Sequence, residues 1–121
     1  EQVAIRLKSA DLIASDFESQ IDKAASGDLI FADPPYTVRH QYNGFVKYNE
    51  RLFSWEDQER LCAALVRAKL RGASVICTNA DHASIRELYG PHFLLTPRLR
   101  FSAIAGRGGS RGNYAELCIS G

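Results

Sequence analysis

At 121 residues and a net charge of +1, the chain is sized for one domain, and its overall charge does not by itself announce a nucleic-acid binder. An apolar fraction of 45% and a charged fraction of 24% are ordinary for a soluble globular protein. No apolar run approaches the roughly 18–20 residues of a membrane span, and the start shows no secretory signal pattern. Cys62, Cys77 and Cys118 make an odd count without metal-like spacing, which predicts reduced, buried thiols in a cytoplasmic protein; His40, His82 and His92 are scattered, and no metal site is expected.

Residues 2–10 carry Val3, Ile5 and Leu7 and read weakly as a helix end. Residues 11–15 predict a short strand leading to Asp16-Phe17, followed by an amphipathic helix around 18–25 that Ser26-Gly27 ends. The run 28–32, Asp-Leu-Ile-Phe-Ala, predicts a parallel strand covered on both faces. Residues 37–53 form a long loop. Ser54 opens a helix as its cap, Asp57 answers it in a capping box, and Gly72 closes it. Residues 74–78 predict a second buried strand, 82–89 a short helix stopped by Gly90-Pro91, and 93–101 with 113–119 two alternating strands around a glycine-rich tip. The alternation of strand and helix predicts an α/β fold with a mostly parallel sheet and an antiparallel carboxyl-terminal hairpin. Asp33 and Asn79 then fall at the carboxyl ends of two adjacent strands, where open α/β sheets bind ligands.

The first buried strand runs directly into Asp33-Pro34-Pro35-Tyr36. Each proline fixes φ and removes a donor, so a carboxylate, a proline carbonyl and an aromatic face leave the strand in a stiff cluster. Such a cluster suits a planar ring bearing an amino group: Asp33 and the Pro34 carbonyl accept its hydrogens, and Tyr36 stacks on the ring. A bare Pro-Pro after a strand reads as a simple turn; Asp in front and Tyr behind favour chemistry. The loop interleaves Arg39, His40, Tyr42, Lys47, Tyr48 and Arg51, a mixture suited to bases and phosphates, although a solvated loop has the same composition. Between Glu87 and Glu116 there is no acidic residue, while Arg98, Arg100, Arg107 and Arg111 are present. Arg107 and Arg111 in the glycine-rich tip suit phosphate contact; an ordinary flexible hairpin is the plainer alternative. Asn79 and Asp81 read as an Asx turn, and Trp55 as packing.

The Asp33-Pro34-Pro35-Tyr36 motif resembles that of amino-methyltransferases dependent on S-adenosylmethionine. Asp16-Phe17, residues 28–36, Asn43-Gly44-Phe45-Val46-Lys47-Tyr48, Phe53 through Leu61, Thr78-Asn79-Ala80-Asp81 with Arg86-Glu87-Leu88-Tyr89, and Arg100 through Leu117 together resemble the DNA adenine methylase family. The resemblance implies a Rossmann-like methyltransferase sheet and methylation of the exocyclic amine of a flipped adenine in double-stranded DNA, as in restriction-modification. It implies Asp33, Pro34, Pro35 and Tyr36 as catalytic, and Asp16, Phe17 and Asp33 as cofactor contacts. Arg39, His40, Tyr42, Asn43, Lys47, Tyr48, Arg107 and Arg111 are the implied DNA contacts. The family's glycine-containing cofactor loop, ribose-binding acid and target-recognition region find no match here. The expectation is therefore a partial methyltransferase domain over 1–121, incomplete on its amino-terminal side and completed by the rest of the same polypeptide or a partner. An RNA base amino-methyltransferase and a non-catalytic nucleic-acid-binding module derived from a methyltransferase are the alternatives.

Overall fold

The computed structural model describes residues 2–39, 52–101 and 113–121. In chain order these contain α1 (Gln2–Leu7), α2 (Phe17–Ile21), β1 (Leu29–Ala32), α3 (Trp55–Leu70), β2 (Ser74–Ala80), α4 (Ala83–Tyr89), β3 (Leu94–Phe101) and β4 (Asn113–Ser120). The four strands form one sheet in the order β1-β2-β4-β3. β1 pairs parallel with β2, while β4 lies antiparallel between β2 and β3. Three strands thus run in one direction and β4 opposes them. The fold is a mixed α/β arrangement with the expected antiparallel hairpin at its carboxyl end.

The core lies on one face of the sheet. Along β2 the side chains alternate, so Val75, Cys77 and Asn79 are buried. Leu117 and Ile119 of β4 face the same side, and α3 covers them with Leu61, Cys62, Ala64, Leu65 and Ala68. These α3 positions recur at helical spacing, which turns one stripe inward. Each fully buried Leu or Ile here is worth roughly 1.5–3 kcal/mol against exposure. The predicted capping box is present: the Ser54 hydroxyl accepts from Asp57 N–H at 3.1 Å, and the Asp57 carboxylate accepts from Ser54 N–H at 2.9 Å. Gly72 ends the helix at φ +97°, and a Cβ there would meet the Ser26 side chain at 2.8 Å.

Two expectations are corrected. Residues 11–15 form no strand; they are exposed and irregular, because Leu12 and Ile13 have no covering layer among the described residues. β1 is not covered on both faces. It is a sheet edge, with Leu29 63% and Phe31 65% exposed, while Ile30 and Ala32 pack against the core. The continuous apolar run correctly marked a strand with two apolar faces, and one of those faces stands open here. α2 is also shorter than expected, ending at Ile21.

α2 is fastened to α3 by charge. Arg60 bonds to Asp16, Glu18 and Asp57, and Arg67 bonds to Glu18 and Asp22. Arg71 donates to the carbonyl of Ile21, the last residue of α2, and to that of Ala24 just beyond it. These groups are half-exposed, so their value lies in alignment more than in stability. The three cysteines are free, and burial pushes the thiols of Cys62 and Cys77 up to about 11 and about 12, which keeps them protonated.

Candidate active site

The parallel register sets the site. Ala32 is opposite Cys77, so the chain leaves β1 alongside Thr78, and Asp33 emerges at the carboxyl end of the β1–β2 pair. The Thr78 hydroxyl donates to Asp33 Oδ1 at 2.6 Å. Three residues on, the Tyr36 hydroxyl donates to Glu116 of β4. Glu116 pairs with Ala80 across the β2–β4 ladder, so both anchoring side chains rise from the sheet near its upper end. Burial, together with the Glu116 carboxylate, pushes the Tyr36 hydroxyl up to about 12. Tyr36 is therefore a neutral donor at physiological pH.

Behind the motif lies a buried polar network centred on Gln58 of α3. Its Nε2 donates to the Thr37 carbonyl at 3.0 Å and lies 3.4 Å from the Pro35 carbonyl and from Asn79 Oδ1. Its Oε1 accepts from Asn79 Nδ2 at 3.0 Å and from the Tyr89 hydroxyl at 3.3 Å. Asn79 Oδ1 also accepts from Ala80 N–H, which fixes the orientation of that amide. Thr37 is buried as well, its hydroxyl donating to the Phe53 carbonyl at 2.8 Å, and its N–H donates to the Pro35 carbonyl. The turn is thus held to α3 through its backbone, to β2 through Asp33 and to β4 through Tyr36. Asn79, expected as an Asx-turn residue, does bond the following N–H, and it also anchors this network.

An open cleft of about 740 Å³ runs along β1 at the edge of the described sheet. Phe17, Ile30, Ala32 and Phe53 give it apolar walls, and Asp33, Pro34 and Pro35 form its end. Of the expected cofactor contacts, Phe17 therefore shares a cleft with Asp33. Its ring packs against Phe53 at 5.7 Å between centroids, with the Arg60 guanidinium 4.3 Å from its centre. Asp16 is placed differently: it caps α2 through Glu18 N–H, and Arg60 bonds both of its oxygens and holds its pKa below the usual carboxylate value.

Of the expected nucleic-acid contacts, Arg39 is described; it is exposed, and its N–H donates to the Ser84 hydroxyl at 3.2 Å. His40, Tyr42, Asn43, Lys47, Tyr48, Arg107 and Arg111 lie outside the described residues. Sequence reasoning missed Thr78, Glu116 and Gln58 as supports of the motif. Strand alternation, which puts Thr78 on the face opposite the buried Cys77 and Asn79, carried part of that signal. Among the described residues, no three His, Cys, Asp or Glu side chains are grouped to hold a metal, and no helix is long and apolar enough to cross a membrane.

Residues 1–100 match the family model of the D12 class N6 adenine-specific DNA methyltransferases. The chain is 36% identical over 104 residues to a DNA N-6-adenine-methyltransferase of Escherichia phage P1, covering 85% of the chain and 14% of that protein. It is 28% identical over 115 residues to a type II methyltransferase of Lactococcus lactis subsp. cremoris, covering 93% of the chain and 39% of that protein. A DNA adenine methylase of Vibrio cholerae serotype O1 is 32% identical over 90 residues, covering 74% of the chain and 32% of that protein. The chain thus spans well under half the length of each of these relatives.

Proposed function

We propose that this chain, which belongs to the D12 class N6 adenine-specific DNA methyltransferase family, forms the catalytic part of an enzyme that methylates the exocyclic amine of adenine in double-stranded DNA. The observation that carries this reading is the delivery of Asp33 to one end of an apolar cleft, with the Asp33 and Tyr36 side chains each anchored from another strand of the sheet. Adenine's amine is a weak nucleophile because its lone pair is conjugated with the ring. Asp33 and the Pro34 carbonyl accept its two hydrogens, turn the lone pair out of the ring plane and stabilise the positive charge that grows on nitrogen. The Tyr36 ring stacks on the base and adds cation–π attraction to that charge. The departing proton leaves to water.

The cleft suits S-adenosylmethionine in chemistry: Phe17, Ile30 and Phe53 offer apolar walls for a purine, and the Asp33 carboxylate lies at the end where a sulfonium would sit. When bound, that cofactor supplies an activated methyl group. Phe17, Asp33 and, after a shift of Arg60, Asp16 are its contacts in this reading. The base reaches the site by leaving the stack, since an amine inside the duplex is out of reach. Arg39, His40, Tyr42, Asn43, Lys47 and Tyr48 hold the opened strand, and Arg107 and Arg111 contact phosphate. The remainder of a Rossmann-like sheet and of the cofactor site comes from further polypeptide; the open edge and exposed face of β1 support this. The enzyme works in the cytoplasm, where its DNA substrate lies.

The test uses the full-length protein that carries this segment, with labelled S-adenosylmethionine and either duplex DNA or structured RNA. N6-methyladenine recovered from hydrolysed DNA is the expected product. Label found in RNA instead would favour a base methyltransferase of RNA.

A further inference from the structure

We propose that Thr78 is a positioning residue for methyl transfer, its hydroxyl fixing the Asp33 carboxylate so that Oδ1 is occupied and Oδ2 is turned to the target amine. The proposal rests on the reading of Asp33 as an acceptor of that amine.

Asp33 sits just past the last residue of an edge strand, where its carboxylate could rotate. Thr78 comes from β2, which is bonded to β1 on one side and β4 on the other, so its backbone is the more firmly held. Its branched Cβ restricts χ1, so the hydroxyl has a defined direction. The bond of 2.6 Å to Oδ1 is short and charge-assisted.

The chemistry favours a neutral donor at this place. None of the ion pairs among the described residues involves Asp33. An arginine or lysine would orient the carboxylate equally well, but it would cancel the negative charge that has to meet a developing positive nitrogen. A hydroxyl orients the group and leaves its charge in place. The orientation matters most in the transition state, where the amine's hydrogens become more acidic and the bond to Oδ2 strengthens.

The test compares Thr78→Val, Thr78→Ser and Asp33→Ala in the full-length protein, by single-turnover methyl transfer at saturating DNA and by DNA dissociation constant. Thr78→Val keeps the shape and loses the donor; its rate is expected to fall about ten- to a hundredfold, as for a lost bond to a charged group, with DNA affinity unchanged. Thr78→Ser keeps the donor and restores the rate to near wild type. An unchanged rate in Thr78→Val overturns the proposal, as does an equal loss in both Thr78 variants, or a loss confined to DNA affinity. Asp33→Ala separates the two levels. If it retains transfer, the reading of Asp33 fails; if it abolishes transfer while Thr78→Val has no effect, only the role of Thr78 fails.

Discussion

Replacing Gln58 with Leu tests whether the polar network behind the motif holds the fold and the site together. Gln58 is fully buried, and Leu has nearly its shape, so the change removes hydrogen bonds while opening little cavity. Two bonds at 3.0 Å are lost, to the Thr37 carbonyl and from Asn79 Nδ2, together with one at 3.3 Å from Tyr89; the two approaches at 3.4 Å count for little. The Thr37 carbonyl, the Asn79 amide and the Tyr89 hydroxyl would remain buried without that partner. At roughly 1–3 kcal/mol for each abandoned group, with some relief from relaxation, the expected loss is about 3–5 kcal/mol. Urea and thermal unfolding of the full-length protein, followed by tryptophan fluorescence, measure it, since Trp55 opens the same helix. Methyl transfer should fall as well, because the Pro35–Thr37 backbone loses its hold on α3. A stability loss under about 1 kcal/mol would refute the reasoning, because it would mean that these buried groups find other partners at little cost.

Replacing both Arg107 and Arg111 with Ala should weaken DNA binding and lower the slope of log affinity against log salt by about 2, since each phosphate contact contributes about 0.9; titrations at several salt concentrations read it. The Asp57 carboxyl is held below its ordinary value of 3.8, chiefly by the N–H of Ser54 and also by Arg60. A depressed folded value means that this carboxylate's contribution to stability is fully present above that ordinary value and is lost as pH falls through the folded one. Asp57→Asn should therefore be less stable than wild type at pH 7, and the gap should narrow in acid, as followed by thermal melts across that range.

How legible the molecule was depends on where each signal lived. The α3 cap, its inward stripe and its glycine stop are local, so Ser54, Asp57 and Gly72 could be read directly. The 2-residue alternation gave β3 and β4 and their hairpin, although the placement of β4 between β2 and β3 is a tertiary fact. Residues 11–15 were misread because Leu12 and Ile13 look like a strand only if a neighbour exists to pair with them. The apolar run of β1 was read correctly as a strand, but its exposure depends on what lies beside it. At the site, Asp33 and Tyr36 announced themselves through two prolines. Thr78, Gln58 and Glu116 did not, because their roles come from register and contact across 45, 23 and 80 residues to Asp33, Pro35 and Tyr36 respectively. Asp16 shows the converse: a motif residue whose carboxylate is engaged by Arg60, 44 residues away.

The most direct measurement is single-turnover transfer of a labelled methyl group from S-adenosylmethionine to duplex DNA by the full-length Asp33→Ala variant, with DNA affinity measured alongside. A carboxylate that acts mainly in the transition state should take the rate with it, by about a hundred- to a thousandfold or more, and leave DNA affinity within about threefold of wild type. Transfer at near the wild-type rate would contradict the account, because the amine would then need no carboxylate at position 33.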